Sequence, residues 1–270
     1  MTHFIAALSF CACFAPGADA NPAEADGPPI RFVEPAAFAS SGVDALILDT
    51  RSIGAYLEGH LPGAIHIDDE CLRSPRGGLP VQYCPRDELA RILGDLGVSF
   101  DRPVLIYADR DDPLAATMAA YALARIGHDD VAILSGGFTA WASNHETTKA
   151  FPTLVPASLE ARDPTIDAIG LDEFEQAVGF DEFTFIDARP GTQYSGDAGP
   201  WVRNGHIPGA HSLDWKTITD PDNHHRLLPA ETIKDTLKEL GVSPWDDIVV
   251  YCGTGREATL LTVALTCHLG

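Results

Sequence analysis

The chain contains the same pattern twice. Residues 46–68, LILDTRSIGAYLEGHLPGAIHID, match residues 184–214, TFIDARPGTQYSGDAGPWVRNGHIPGAHSLD. Each runs from an apolar stretch into Asp-x-Arg, Asp49/Arg51 in the first copy and Asp187/Arg189 in the second. Each then reaches Gly-His-(Leu/Ile)-Pro-Gly-Ala, at 59–64 and 205–210. A second pair follows in the same order: DELARILGDLGVSFDRPVLIYA (87–108) and ETIKDTLKELGVSPWDDIVVYC (231–252). A unit of this size repeats as a domain, not as one turn of a solenoid.

Within the first copy, apolar runs and amphipathic stretches alternate. The spacing predicts strands at 46–49, 64–67, 103–107 and 131–134, with helices at 87–96 and 115–126. That alternation belongs to an α/β fold, a mainly parallel sheet with helices on both faces, built twice. Residues 28–145 form the first domain and 166–270 the second. The proline-containing, aperiodic stretch 146–165 joins them. The second copy stops at TCHLG, before any counterpart of the first copy's DDVAILSGGFTAWA. Its last strand and helix are therefore absent from the sequence, and its sheet is expected to be smaller and less stable.

The start, MTHFIAALSFCACFAPGADA, holds an apolar run too short to span a bilayer and ends in a small-x-small site. Residues 1–20 read as a signal peptide, which implies a periplasmic or extracellular protein with no membrane association after cleavage. Four cysteines then remain: Cys71, Cys84, Cys252 and Cys267. Pairing of Cys71 with Cys84 across the loop LRSPRGGLPVQY is left open. The cysteine spacings match no common zinc pattern, and the adjacent histidines of DNHHR (222–226) read as a solvated polar loop; no metal is expected. With 39 acidic and 18 basic residues the formal charge is −21, which argues against nucleic-acid partners.

The chemistry concentrates in CGTGRE, 252–257, between an apolar run and a helical one. Gly253 and Gly255 allow a tight curl, and the N–H dipoles of Gly253 through Glu257 are expected to stabilise the sulfur of Cys252. Together with Arg256 they predict a thiolate with a lowered pKa. The loop lacks the lysine of a Walker A motif, and Ala258 stands where a tyrosine-phosphatase loop needs arginine, so a group smaller than phosphate suits it. In the first copy the equivalent YADRDD has Ala108 in place of the cysteine.

The paired GH(L/I)PGA motifs, the paired Asp-x-Arg strand ends, LSGGFTAW (134–141) and CGTGRE make the chain resemble a tandem-domain rhodanese, a sulfurtransferase of the thiosulfate or 3-mercaptopyruvate type. The resemblance covers about residues 30 to 270. It implies two rhodanese-like domains, the second catalytic, with no cofactor. It also implies a persulfide on Cys252 held by the loop Gly253, Thr254, Gly255, Arg256, Glu257 and Ala258. The donor would be a small sulfur-bearing anion, and the acceptor cyanide or a thiol, including a protein thiol. Arg203 takes a substrate-binding place, with Arg189 and Asp68 as further substrate-side candidates; Arg189 also suits a brace at its strand end. Thr254 resembles the mercaptopyruvate branch and Arg256 leans toward the thiosulfate branch. The histidine of the mercaptopyruvate branch is missing, because Gly77 and Gly78 occupy its place. His60 and His206 occur in both copies and read as structural. The four tryptophans read as core or cleft wall. The rival functions are an exported sulfur carrier with little turnover and, on the same fold, a phosphatase or arsenate reductase.

Overall fold

The computed structural model describes residues 28–76, 78–166, 168–178, 180, 182–243 and 245–269. Residues 1–20, expected to be a signal peptide, lie outside them. No described helix is long and apolar enough to cross a membrane.

The first half contains β1 (Ile30–Val33), β2 (Leu46–Asp49), β3 (Ala64–His66), a hairpin of β4 (Arg73–Arg76) and β5 (Leu79–Tyr83), then β6 (Val104–Tyr107) and β7 (Val131–Leu134). Five of these form one parallel sheet in the order β1-β7-β6-β2-β3. The central strands β6 and β7 are buried along their whole length, as expected for a parallel sheet covered on both faces. Side chains alternate between those faces. Val104 and Ile106 enter one core cluster, while Leu105 and Tyr107 enter another.

The second half contains β8 (Phe183–Asp187), β9 (His211–Ser212), a hairpin of β10 (Thr219–Asp220) and β11 (Asn223–Leu227), then β12 (Asp247–Tyr251). Its sheet has three parallel strands in the order β12-β8-β9. The missing breadth has a simple cause. In the first half β1 pairs with β7, and among the described residues of the second half no strand takes either place. Ile166 and Ile169, in the place of β1, are not in a strand. The joining stretch is laid against the first half: Ala157 N–H donates to Gly94 O at 2.8 Å, and Arg162 N–H to Ile126 O at 2.9 Å.

The helix that follows each copy's loop lies at the junction of the halves. Leu114–Arg125 in the first half is buried all round and rich in alanine, which permits close approach. It meets Glu257–Val263 of the second half, where Thr117 and Thr259 share a hydroxyl hydrogen bond of 2.9 Å. One hydrophobic core, holding Val104, Ile106, Ile186, Val250 and Leu260 among others, runs through both halves.

Candidate active site

The site is the turn between β12 and helix Glu257–Val263. Tyr251 ends the strand, and Cys252 follows at the C-terminal edge of the sheet, on the face directed into the shared core. Gly255 has φ +73°, in the left-handed region that glycine enters without a Cβ clash. Its N–H donates to Cys252 Sγ at 3.1 Å. Backbone N–H groups of Thr254 and Ala258 also favour the thiolate. The loop amides therefore surround the sulfur as its glycines suggested.

The expected low pKa is overturned. Cys252 is fully buried and lies beside the Glu257 carboxylate. Burial first, and that negative charge second, push the thiol up to about 12. Loss of solvent and a like charge outweigh a ring of amide dipoles.

The first half supplies the far wall. On the β4–β5 hairpin, Arg73 Nη1 donates to Thr254 O at 2.7 Å and the Tyr83 hydroxyl to Gly255 O at 3.1 Å. A trans peptide sets its C=O and N–H in opposite directions. Holding Thr254 O on Arg73 therefore turns the Gly255 N–H toward the sulfur. Holding Gly255 O on Tyr83 fixes the next plane. Arg256 is gripped in the same way, its Nη2 lying 3.0 and 3.2 Å from the two Asp112 carboxylate oxygens. Asp112 belongs to the first copy's thiol-free loop. Neither the hairpin residues nor Asp112 were visible as site residues in the sequence; the stretch 73–83 reads there only as a Gly/Pro-rich loop.

The other hairpin mirrors this arrangement. His225 on β11 is buried, and its Nε2 accepts the N–H of Ala108, the residue in the cysteine's place, at 3.0 Å. This corrects the reading of DNHHR as solvated. With Nε2 an acceptor, the proton resides on Nδ1, and burial holds the imidazole neutral, its pKa lowered to about 4.

The remaining candidates are dispersed. Arg189 is buried and bound to Asp187 through Nε and Nη2, while Nη2 also reaches Gly205 O at 2.7 Å. It braces the strand end, as Arg51 does with Asp49 and Gly59 O. Arg203 is exposed, on the segment before the second Gly-His motif. Asp68 caps the turn 69–72 by accepting the Glu70 N–H at 3.1 Å. It lines a cavity of about 510 Å³ together with Asp69, Asp109 and Asp112, on the first-half side of the Arg256 ion pair. Burial pushes the Asp69 carboxyl up, and Arg256 pulls it back.

His60 and His206 have matching roles. Each stacks on a tyrosine, Tyr56 or Tyr194, and bonds that tyrosine's carbonyl through Nδ1. Trp141 and Trp215 are core, whereas Trp245 is exposed, against the reading of all four as core or cleft wall. Cys71 and Cys84 are free thiols. No group of metal-ligating side chains occurs among the described residues.

Two α/β units of this topology, with a cysteine-centred amide cradle in one and alanine in its place in the other, define a tandem rhodanese fold with one cysteine-bearing loop. A family profile described as Rhodanese-like domain matches residues 36–144 and again 170–270, and the chain belongs to that family. A protein of Synechococcus elongatus, provisionally named a thiosulfate sulfurtransferase, is 38% identical over 87% of this chain and 77% of its own length. The thiosulfate sulfurtransferase of Azotobacter vinelandii is 30% identical over 82% and 80%. The 3-mercaptopyruvate sulfurtransferase of Escherichia coli K12 is 29% identical over 92% and 87%. Among solved structures, SseA from Escherichia coli, titled a 3-mercaptopyruvate sulfotransferase with the rhodanese fold, superposes with a TM-score of 0.75 at 26% identity, covering 88% of this chain and 94% of that one. EanB bound to ergothioneine shares the fold, with a TM-score of 0.69 at 23% identity; the match covers 84% of this chain and 60% of EanB.

Proposed function

We propose that the protein transfers a sulfane sulfur from thiosulfate or 3-mercaptopyruvate to cyanide or a thiol, through a persulfide on Cys252. The observation that carries this reading is the Gly255 N–H on Cys252 Sγ, set against Ala108 at the same place in the other copy. Cys252 gives up its proton to solvent, and the thiolate attacks the outer sulfur of thiosulfate or the single sulfur of 3-mercaptopyruvate. The bond from that sulfur to the rest of the donor breaks, releasing sulfite, or the enolate of pyruvate, which takes up the proton of the mercaptopyruvate thiol and leaves as pyruvate. The new terminal sulfur carries the negative charge, which the loop amides stabilise. The acceptor then attacks that sulfur and restores the Cys252 thiolate. Export, with Arg203 as the anchor for the donor's anionic end, completes the reading.

The test is a side-by-side assay with both donors and cyanide, following thiocyanate. Wild type turns over at least one donor, and Cys252→Ser releases none; a serine variant with full activity refutes the assignment. The buried, protonated thiol also supports a second reading, a carrier loaded by a partner protein. A relative from Thermus thermophilus, 30% identical over 80% of this chain, is named a sulfur carrier protein. Negligible rates with both donors, alongside stable loading from a protein persulfide, would favour it.

A further inference from the structure

The two Asp-x-Arg braces give matching frames for comparing the copies. In the first, Arg51 reaches the carbonyl of Gly59 across a separation of eight residues. In the second, Arg189 reaches that of Gly205 across sixteen. Both bonds are 2.7 Å, so the frame is unchanged and the extra residues leave it as a loop. That loop, GDAGPWVRN (196–204), opens at Gly196 with φ +88°. At its tip Val202 is 98% exposed.

Trp201, beside that tip, folds back onto the cradle. A Cβ placed on Gly253 would lie 2.6 Å from Trp201 Cζ2, so the indole packs directly on the Gly253 backbone. Cys252, one residue earlier, has no exposed surface. The indole Nε1 is shielded from solvent and has no acceptor. An indole N–H is a donor only, and a buried one normally finds a partner. The shorter first copy has no such segment, and its loop has no thiol to cover.

The geometry points to Trp201 as a specificity-determining residue: its indole roofs the cradle, passes only small donors to Cys252, and offers its unpartnered N–H to the donor's anionic oxygen. This rests on the sulfur-transfer reading of Cys252, and the two are separable by experiment. The roof explains how a thiol with no exposed surface is reached at all, since lifting one side chain on a surface loop uncovers Gly253 without disturbing the sheet.

The experiment compares labelling of Cys252 by iodoacetamide and by the bulkier 5,5′-dithiobis(2-nitrobenzoate), read at the Cys252 peptide by mass spectrometry. Wild type should favour the small reagent strongly. Trp201→Ala should cut that preference by about tenfold or more, and Trp201→Leu, which keeps some cover, should fall between. Trp201→Phe keeps the roof but loses the N–H. It should retain the labelling preference while raising KM for 3-mercaptopyruvate about tenfold with kcat little changed. An unaltered size preference in both Trp201→Ala and Trp201→Leu overturns the roof. An unaltered KM in Trp201→Phe overturns the recognition role. If neither donor is turned over by wild type but labelling behaves as stated, the sulfur-transfer reading fails and the roof stands.

Discussion

Replacing Glu257 by glutamine should make Cys252 more reactive, although it removes an ionisable group from the loop that holds the sulfur. The wild-type thiol is pushed up to about 12, by burial first and by the Glu257 charge second. At pH 8, four units lower, roughly one thiol in ten thousand is ionised. Only the thiolate is alkylated. Glutamine keeps the size of the side chain and removes the charge, so burial persists while the electrostatic part vanishes. A neighbouring like charge typically shifts a pKa by about one to three units. The expected gain at pH 8 is therefore about tenfold or more. The sign follows from the charge: removing an anion lowers the cost of forming another beside it. The assay is the rate of iodoacetamide modification at the Cys252 peptide from pH 6.5 to 9.5. In wild type the logarithm of the rate should rise with unit slope and reach no plateau. Any opening step that exposes the thiol enters both proteins alike and cancels in their ratio. A variant rate within twofold of wild type across the range would refute the argument, because the carboxylate would then add nothing to the burial that holds the proton on the sulfur.

Tyr83→Phe should cost about 1 kcal/mol of stability through the lost bond to Gly255 O, and Arg73→Met should lower kcat with both donors, because the Gly255 amide loses its fixed direction. Urea melts and steady-state assays check the pair. Asp112→Asn should free Arg256 and improve kcat/KM for thiosulfate, a dianion, about fivefold relative to 3-mercaptopyruvate, measured by competing the two donors. His225 is neutral in the fold with its pKa lowered to about 4, whereas the unfolded chain protonates it below its ordinary 6.5. Stability is full above 6.5 and falls as pH drops toward 4. Wild type should therefore lose about 3 kcal/mol more than His225→Gln between pH 7 and pH 4 in urea melts.

The frame of the fold was legible because its strands are apolar runs and its helices have a clear period. The strands expected at 46–49 and 131–134 are β2 and β7, and the helix expected at 87–96 is Arg86–Asp95. Cys252 was legible because the second copy has a thiol where the first has alanine. Local sequence does not reveal partners that lie far along the chain. Arg73 and Thr254 are separated by 181 residues, and Asp112 and Arg256 by 144. A hairpin of prolines, glycines and basic residues looks like a solvated loop until the opposing half is in place. The pKa of Cys252 was misjudged for a related reason. The amide donors follow from the glycines, but the burial that overrides them comes from the core that the two halves build together around Cys252.

Each hairpin closes the opposite half's loop, and one core runs beneath both. The two copies are two domains by repeat yet cannot unfold independently. Release of the first half would withdraw Arg73, Tyr83 and Asp112 from the turn that holds Cys252, and release of the second would withdraw His225 from Ala108. Heat or denaturant should therefore meet a single cooperative unit. The thiol-free copy is thus a folding partner of the copy that carries Cys252, and a chain cut between the halves should lose structure in both once the pieces are parted.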